Sequence, residues 1–287
     1  MLSVVVVNWN AGARLGECLH SIEVDGLAGR EVIVVDNGSS DGSTAESTAT
    51  RPWVRVLRSD HNRGFAAGAN QGAAAAQGKV LVFLNPDARL SRGALAALAT
   101  VLDADTSVAV VGGALVDDAG APQASWAHHG PLAHALLDTR PVRAVVHRAS
   151  QPHPVDWVYG TFMALRRTAF EALGGFDEHY FMYGEDMDLC HRVHRRGQRV
   201  MHVPAATAAH GPNVSARQRY GAGRDAAVLR GELRFYRRRL GRPAANLFRG
   251  LAAGKAGVRL ALALVTARGA SARASYATLR ASLSALG

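Results

Sequence analysis

Glu185, Asp186 and Asp188 place three carboxylates within four residues, in the run Gly184-Glu185-Asp186-Met187-Asp188-Leu189. One of them can take the proton from an attacking hydroxyl, which is the work of a general base. Acids are also favoured in the first turn of a helix, so the run has a purely structural reading as well. The residues just before it, Phe176 to Tyr183, are rich in aromatics and suit a wall facing a sugar ring. Asp87 closes Asn85-Pro86-Asp87, directly after an apolar run. A carboxylate there can hold a hard divalent cation, Mg2+ or Mn2+, against phosphate oxygens, although the tripeptide is also turn-prone. Asp36 ends another apolar run and faces the Gly/Ser-rich stretch 37–43. Its carboxylate can accept from a base imide or a ribose hydroxyl, or it can cap the turn. His210 can complete a metal site through a neutral imidazole, although a lone histidine is more commonly structural or exposed. Together these groups cover the needs of sugar transfer from a nucleoside diphosphate. The nucleoside is held, charge on the departing diphosphate is met by a cation, and the acceptor proton has somewhere to go.

Such groups converge only if the elements beneath them place them on one rim. β-Branched runs at 2–8 and 31–36 read as buried strands, as does 79–84, with a shorter strand at 54–57 and another at 108–112. Helical stretches at 14–22, 64–77 and 92–103 separate them. This alternation predicts an α/β fold with a mostly parallel central sheet flanked by helices. Ligands in such sheets bind beyond the carboxyl ends of strands, where Asp36 and Asp87 both fall. Residues 117–155 read as a crossover or an acceptor-facing insertion. A strand at 157–166 follows, then a helix at 168–173 with Thr168 as its cap, a helix at 186–196, and a short strand at 200–204. His210 is expected in the loop after that strand. The chain reads as helical from about Arg224. The expected organisation is a catalytic domain over 1–215, split into a nucleotide-binding half (1–112) and an acceptor-binding half (113–215), with a basic helical extension over 216–287.

In order and context these pieces resemble glycosyltransferase family 2. Ser3 to Asn10 resembles the family's opening nucleotide-binding strand, and Val34 to Ser43 its second-strand signature, whose Asp contacts the base. Asn62 to Gly72 resembles the segment lining the nucleotide pocket, and Leu84 to Asp87 stands where the family's Asp-X-Asp does. Gly160 to Met163 and Gly174 to Asp177 resemble the acceptor-side motifs, and Gly184 to Leu189 the catalytic Glu-Asp motif. The resemblance spans about 3–210. It implies the GT-A fold and inversion at the anomeric carbon. It implies Asp186 as the base, with Glu185 supporting the acceptor or metal shell, and Asp87 and His210 as metal ligands. It also implies donor contacts from Asn8, Asn10, Asp36, Asn62, Gly64, Asn70 and Asn85. The first acid of Asp-X-Asp is Asn85 here, which can hydrogen-bond ribose but adds no charge. The Asn-Pro-Asp form and the Asn8-Trp9-Asn10 opening most resemble the family's rhamnosyltransferase-like branch. That resemblance implies a dTDP- or UDP-sugar donor, dTDP-L-rhamnose first, and a glycan or polyprenyl-linked acceptor in cell-wall or surface polysaccharide synthesis.

The net charge of +10 is unevenly placed: fifteen Lys or Arg and two acids follow Gly211, against a slight acidic excess before it. Such a segment suits an anionic membrane surface, or a helix packed on the catalytic domain or on a second subunit in a homodimer. With no basic leader and no apolar run of about 20 residues, the expected location is the cytoplasm, or the inner face of the plasma membrane as a peripheral protein. Cys18 and Cys190 lack metal-type spacing and read as ordinary thiols in a reducing compartment. No GxGxxG follows a strand, which argues against a dinucleotide dehydrogenase. The loop after the first strand lacks the Gly-rich basic character of a sugar nucleotidyltransferase. Nucleic acid is not an expected partner, since only the basic tail would suggest it. The remaining alternative, an inactive carbohydrate-binding or scaffolding relative, is disfavoured by the presence of Asp36, Asp87 and Asp186 together.

Overall fold

The computed structural model describes residues 1–127, 149–211, 219–265 and 269–284. Part of the 117–155 insertion, at 128–148, lies outside the described residues. The first strand, β1 (Leu2–Asn8), is buried along its whole length. Its side chains alternate between two cores: Val4 and Val6 join one face, Val5 and Val7 the other. β2 (Arg30–Asp36) divides in the same way, with Val32 and Val34 opposite Ile33 and Val35. This two-residue period is why strands buried on both faces read as unbroken apolar runs. α1 (Ala13–Asp25) and α4 (Ala94–Ala104) cover one face, and α3 (Phe65–Ala75) the other.

The main sheet contains β3 (Val54–Arg58), β2, β1, β4 (Val80–Leu84), β11 (Phe162–Arg166), β6 (Val108–Val116), β12 (Arg199–His210) and β5 (Ala88–Leu90), in that order. β1 to β4 run parallel. β11 is antiparallel to both β4 and β6, while β12 is parallel to β6. Short strands β7 (Pro122–Gln123) and β9 (His153–Pro154) pair with β6 and β12, and β8 (Trp126–Ala127) pairs with β10 (Trp157–Val158). The sheet is therefore mixed, mostly parallel and helix-covered. α2 (Ser43–Thr48), unforeseen in the sequence reading, follows the Gly/Ser-rich turn.

Several boundaries depart from expectation. The strand expected over 157–166 is two strands, because the Gly160 N–H donates to the Asp186 Oδ2 at 2.8 Å instead of extending a ladder. The helix α5 (Arg167–Ala172) starts before Thr168, with Arg166 at its cap and no side-chain cap. His210 is not in a loop. It is the last residue of β12, which passes a register shift between Val203 and Thr207 and continues antiparallel to β5. Pro204 and the following alanines have weak strand propensity, so tertiary pairing decides this extension.

α6 (Glu185–Arg195) follows Gly184. The basic segment forms α7 (Arg224–Phe235), a π-helical turn (Tyr236–Leu240), α8 (Gly241–Val265) and α9 (Gly269–Ser284). It packs on the preceding α/β part: Leu229, Leu233, Phe235, Tyr236 and Phe248 share one core with Met187, Leu189 and Cys190. The contact reaches the backbone. A Cβ at Gly231 of α7 would stand 2.2 Å from the Tyr183 carbonyl oxygen, and one at Gly184, where φ is 93°, would stand 2.9 Å from the Gly231 oxygen. A Gly231→Ala substitution must push α7 off the loop that leads into the acids. It is expected to destabilise the fold by about 1–3 kcal/mol, as overpacking does, read as a lower urea midpoint. An unchanged midpoint would show that the helix does not sit this close.

Candidate active site

One cavity of about 840 Å³ lies at the carboxyl rim of the sheet. Asn62, Asn85, Asp87, Glu185, Asp186 and His210 all line it. The other expected site residues, Asn8, Asn10, Asp36, Gly64 and Asn70, are outside its lining. Asn8 is fully buried and donates to Ser43 and Thr44 hydroxyls at 2.9 and 2.8 Å. Asn10 accepts from the Ser40 N–H at 2.8 Å, and Asp36 from the Ser39 N–H at 2.9 Å. These bonds fold the Gly/Ser-rich turn back over the end of β1. Asn70 is turned away: it donates to the Phe176 carbonyl at 2.9 Å and to Glu178 at 3.0 Å, and accepts from the Phe176 N–H at 2.9 Å. Asn37 takes a place in the lining that the sequence reading did not give it. It donates to the Gly64 carbonyl at 2.9 Å and accepts from the Arg63 N–H at 3.1 Å, which ties the second strand's end to the segment leading into α3.

Asp87 and His210 meet because β5 turns the chain back beside β12. His210 Nε2 stands 3.4 Å from Asp87 Oδ1, and both side chains are about nine-tenths buried. Gln123 fixes the imidazole: its amide N–H donates to the His210 carbonyl at 3.1 Å, which leaves its Oε1 facing His210 Nδ1 at 3.2 Å. That pairing puts a proton on Nδ1 and turns Nε2 towards the carboxylate. Nε2 is buried and has no hydrogen-bond partner. A bare imidazole nitrogen beside a carboxylate oxygen, at the edge of a large cavity, fits a divalent cation. Mg2+ and Mn2+ commonly take few protein ligands and complete their shell with phosphate and water. Among the described residues, no group of three or more His, Cys, Asp or Glu could hold a metal by itself. The remaining positions would thus fall to ligand oxygens.

The acids of α6 are in different electrostatic states. Asp186 accepts from the Gly160 N–H at 2.8 Å and from the Met187 N–H at 2.7 Å, so its carboxylate is held in a fixed direction. Burial pushes it up to about 6, against the opposing pull of those N–H groups and helped by the charge of Glu232. Glu185 is 5% exposed, its Oε2 has no hydrogen-bond partner, and burial followed by the charge of Asp186 raises it well above the usual carboxylate range. Both acids are thus raised by burial, and each raises the other through its charge. Asp188 belongs to structure: it is fully buried and paired with Arg192 at 2.7 Å and Arg239 at 2.5 Å. Cys18 and Cys190 are free and buried, and burial pushes the Cys190 thiol up to about 12. The Cys18 thiol is also pushed up, by burial and by nearby Asp87.

The sequence reading missed half of the cavity wall. Trp126 lines it from the insertion, Trp157 and Tyr159 from β10 and just after it, and Glu232, Phe248 and Lys255 from the C-terminal helices. The aromatic residues within and just after the 117–155 stretch were the available signal for the first three. Nothing local distinguished the others.

The sequence profile described as glycosyl transferase family 2 matches residues 3–174. A second profile, described as the N-terminal domain of galactosyltransferase, matches residues 140–211. The chain is 29% identical over 232 residues to N-acetylglucosaminyl-diphospho-decaprenol L-rhamnosyltransferase of Mycobacterium tuberculosis, covering 73% of this chain and 76% of that relative. It is 27% identical over 222 residues to the O-antigen chain rhamnosyltransferase WbaN of Salmonella anatum, covering 76% and 68%. Among solved structures, the mannosyltransferase PcManGT from Pyrobaculum calidifontis, in complex with GDP-Man and Mn2+, aligns with a TM-score of 0.63 at 19% identity over 100% of this chain and 88% of that one. GalNAc-T7 with UDP, GalNAc and Mn2+ aligns at 0.59 and 19% identity, over 74% of this chain and 43% of that one. The fold is that of the GT-A sugar transferases. With the profile match covering more than half its length, this chain belongs to glycosyl transferase family 2.

Proposed function

We propose that the protein is an inverting, metal-dependent transferase that moves a sugar from a nucleoside diphosphate to a hydroxyl of a glycan or polyprenyl-linked acceptor. The donor of choice is dTDP-L-rhamnose, with cell-wall or surface polysaccharide synthesis as the setting, at the inner face of the plasma membrane. One observation carries the reading: Asp186 and the Asp87–His210 pair share a single cavity. Asn37, Asn62 and Asn85 present amides to the nucleoside, while Asn8, Asn10 and Asp36 hold the loop beneath it. Asp87 and His210 hold the cation, which when bound meets the charge of the departing diphosphate. Asp186 takes the acceptor proton as that oxygen attacks. Glu185, beside Asp186, supports the acceptor or the metal shell. The aromatic wall of Trp126, Trp157 and Tyr159 receives the acceptor sugar. The names of the two rhamnosyltransferase relatives support the donor choice.

A thermal-shift panel of dTDP-, UDP- and GDP-sugars with Mn2+ or Mg2+ tests this, because a ligand present at 100 times its Kd adds about 2.7 kcal/mol. dTDP-L-rhamnose with metal is expected to give the largest shift. A larger shift with a GDP- or UDP-sugar would replace the donor, and no shift with any would remove the transferase. In His210→Ala, the Mn2+ concentration giving half the shift is expected to rise about 10–100-fold. An unmoved midpoint would take His210 out of the metal site.

A further inference from the structure

The turn between β6 and β7 is held from two sides. Asp117 Oδ1 accepts from the Ala119 and Ala121 N–H groups at 2.9 and 2.8 Å, and the Asp117 N–H donates to the Ala121 carbonyl at 2.8 Å. Such local bonding is why aspartate is favoured in turns, and Gly120 supplies the φ of 81° that this turn needs. Asp118 reaches out of the turn to Arg89 at 2.7 Å and to Arg14 at 3.1 Å. Glu17 of α1 closes the cluster by pairing with the same two arginines at 2.8 and 3.0 Å. Single pairs of this exposed kind add little stability, but four groups in one network fix a position. Arg89 lies in β5, two residues after Asp87, and β5 is in register with β12 through Ala88 and His210. The turn that carries Gln123 to its place opposite Leu115 is thus tied to the strands that carry Asp87 and His210.

Gln123 meets His210 twice, as donor to its carbonyl at 3.1 Å and as the acceptor facing Nδ1 at 3.2 Å. The first contact fixes which end of the amide is which, so the second needs a proton on Nδ1. Without Gln123 the imidazole has a competing partner, since Asp87 Oδ1 stands 3.4 Å from Nε2. A proton on Nε2 would bond that carboxylate, and a cation would lose both the nitrogen lone pair and an oxygen that it needs. We infer that Gln123 is a positioning residue: by keeping the His210 proton on Nδ1 it stops His210 and Asp87 from closing on each other, and so holds the pair open to a divalent cation. This rests on the reading of Asp87 and His210 as metal ligands and adds to it a residue from the 117–155 stretch. The group on the far nitrogen of a ligating histidine sets its tautomer and ring direction, and its loss commonly lowers metal affinity.

The test reads the tautomer and the cation separately, both in the full chain. Nitrogen NMR of histidine-labelled, metal-free protein is recorded at about pH 8.5, above the ordinary imidazole range. The His210 signals, assigned by their absence in His210→Ala, are expected to show the proton on Nδ1. In Gln123→Leu the form with the proton on Nε2 is expected to become the major one. Binding of Mn2+ alone, and of Mn2+ with dTDP, is read from the electron spin resonance of the free ion. Both are expected to be about 10–100-fold weaker in Gln123→Leu than in the parent. Gln123→Met keeps the length of the side chain with a much weaker acceptor and should behave alike; thermal melts check that both variants fold. A parent with the His210 proton on Nε2 would overturn the inference, and that reading needs no variant. Variants with the parent's tautomer and Mn2+ affinity would overturn it too. So would weaker Mn2+ binding with an unchanged tautomer, which would make Gln123 a support for β7 alone. If Mn2+ binding needs His210 and ignores Gln123, the metal site stands and only this inference falls. If the parent binds no Mn2+, with or without dTDP, the metal reading falls and takes the inference with it.

Discussion

Asp186→Asn is expected to lower kcat by about 10²–10⁴, the range for losing a general base, while donor affinity stays near that of the parent. The amide keeps the shape of the side chain, and its oxygen can still accept one of the two N–H groups that hold Asp186. It cannot take a proton from the acceptor. The residues proposed to hold the donor, Asn37, Asn62, Asn85 and Asp87, also line the cavity and are not altered by the change. Measured kinetically, this is a fall in kcat and kcat/KM together, the mark of an interaction made in the transition state. The parent should also show a rise in kcat/KM with pH, half complete at about 6, because burial lifts the Asp186 carboxyl to that value and only the ionised form can act. The sign follows from the role: a group required as a base gains activity as it deprotonates. The sloped limb should vanish in Asp186→Asn. Near-parent turnover, or an unaltered acid limb in that variant, would assign the proton transfer elsewhere.

Asp188→Ala is expected to cost about 3–5 kcal/mol of stability, the scale for removing one partner from a buried ion pair. Asp188 has no exposure and accepts from Arg192 at 2.7 Å and from Arg239 at 2.5 and 3.1 Å, with the Tyr180 hydroxyl at 3.4 Å. Arg192 comes from the same helix, but Arg239 comes from the π-helical turn after α7. The carboxylate therefore pins the C-terminal helices to the acid-bearing helix by pairing with a guanidinium group from each. Urea unfolding measures the loss. Arg239→Ala should cost less, because Arg192 still neutralises Asp188. It should also raise the protease sensitivity of the residues after Gly223 before that of the sheet. A loss below about 1 kcal/mol for Asp188→Ala would mean that the C-terminal helices are held by their apolar contacts alone.

That Asp186 and Asp188 differ so much in role, two residues apart, shows where local pattern stops being informative. Both are acids in the first turn of one helix; the residue types alone offered the run as a whole as a source of the base, and only the family resemblance singled out Asp186. The periodicity of α6 puts Asp188 inward, under Arg239, and Asp186 outward, against Gly160. Neither partner is near in the chain.

The sequence by itself determined the sheet's buried strands, the helices between them and the rim on which Asp36 and Asp87 stand. Those features follow from side-chain alternation, apolar runs and turn-forming residues, all of which act over a few positions. Only the tertiary structure decided that His210 ends a strand and faces Asp87, since that depends on β12 continuing beside β5 past a register shift. It alone decided that Asn70 turns to Phe176 and Glu178 and away from the cavity. It also decided that the basic C-terminal segment walls the cavity, through a backbone approach at Gly231 that no periodicity encodes. Long-range pairing of strands and close contact between helices are set by the global packing of many weak preferences. The residues at those junctions carry no local mark of the partner they will meet.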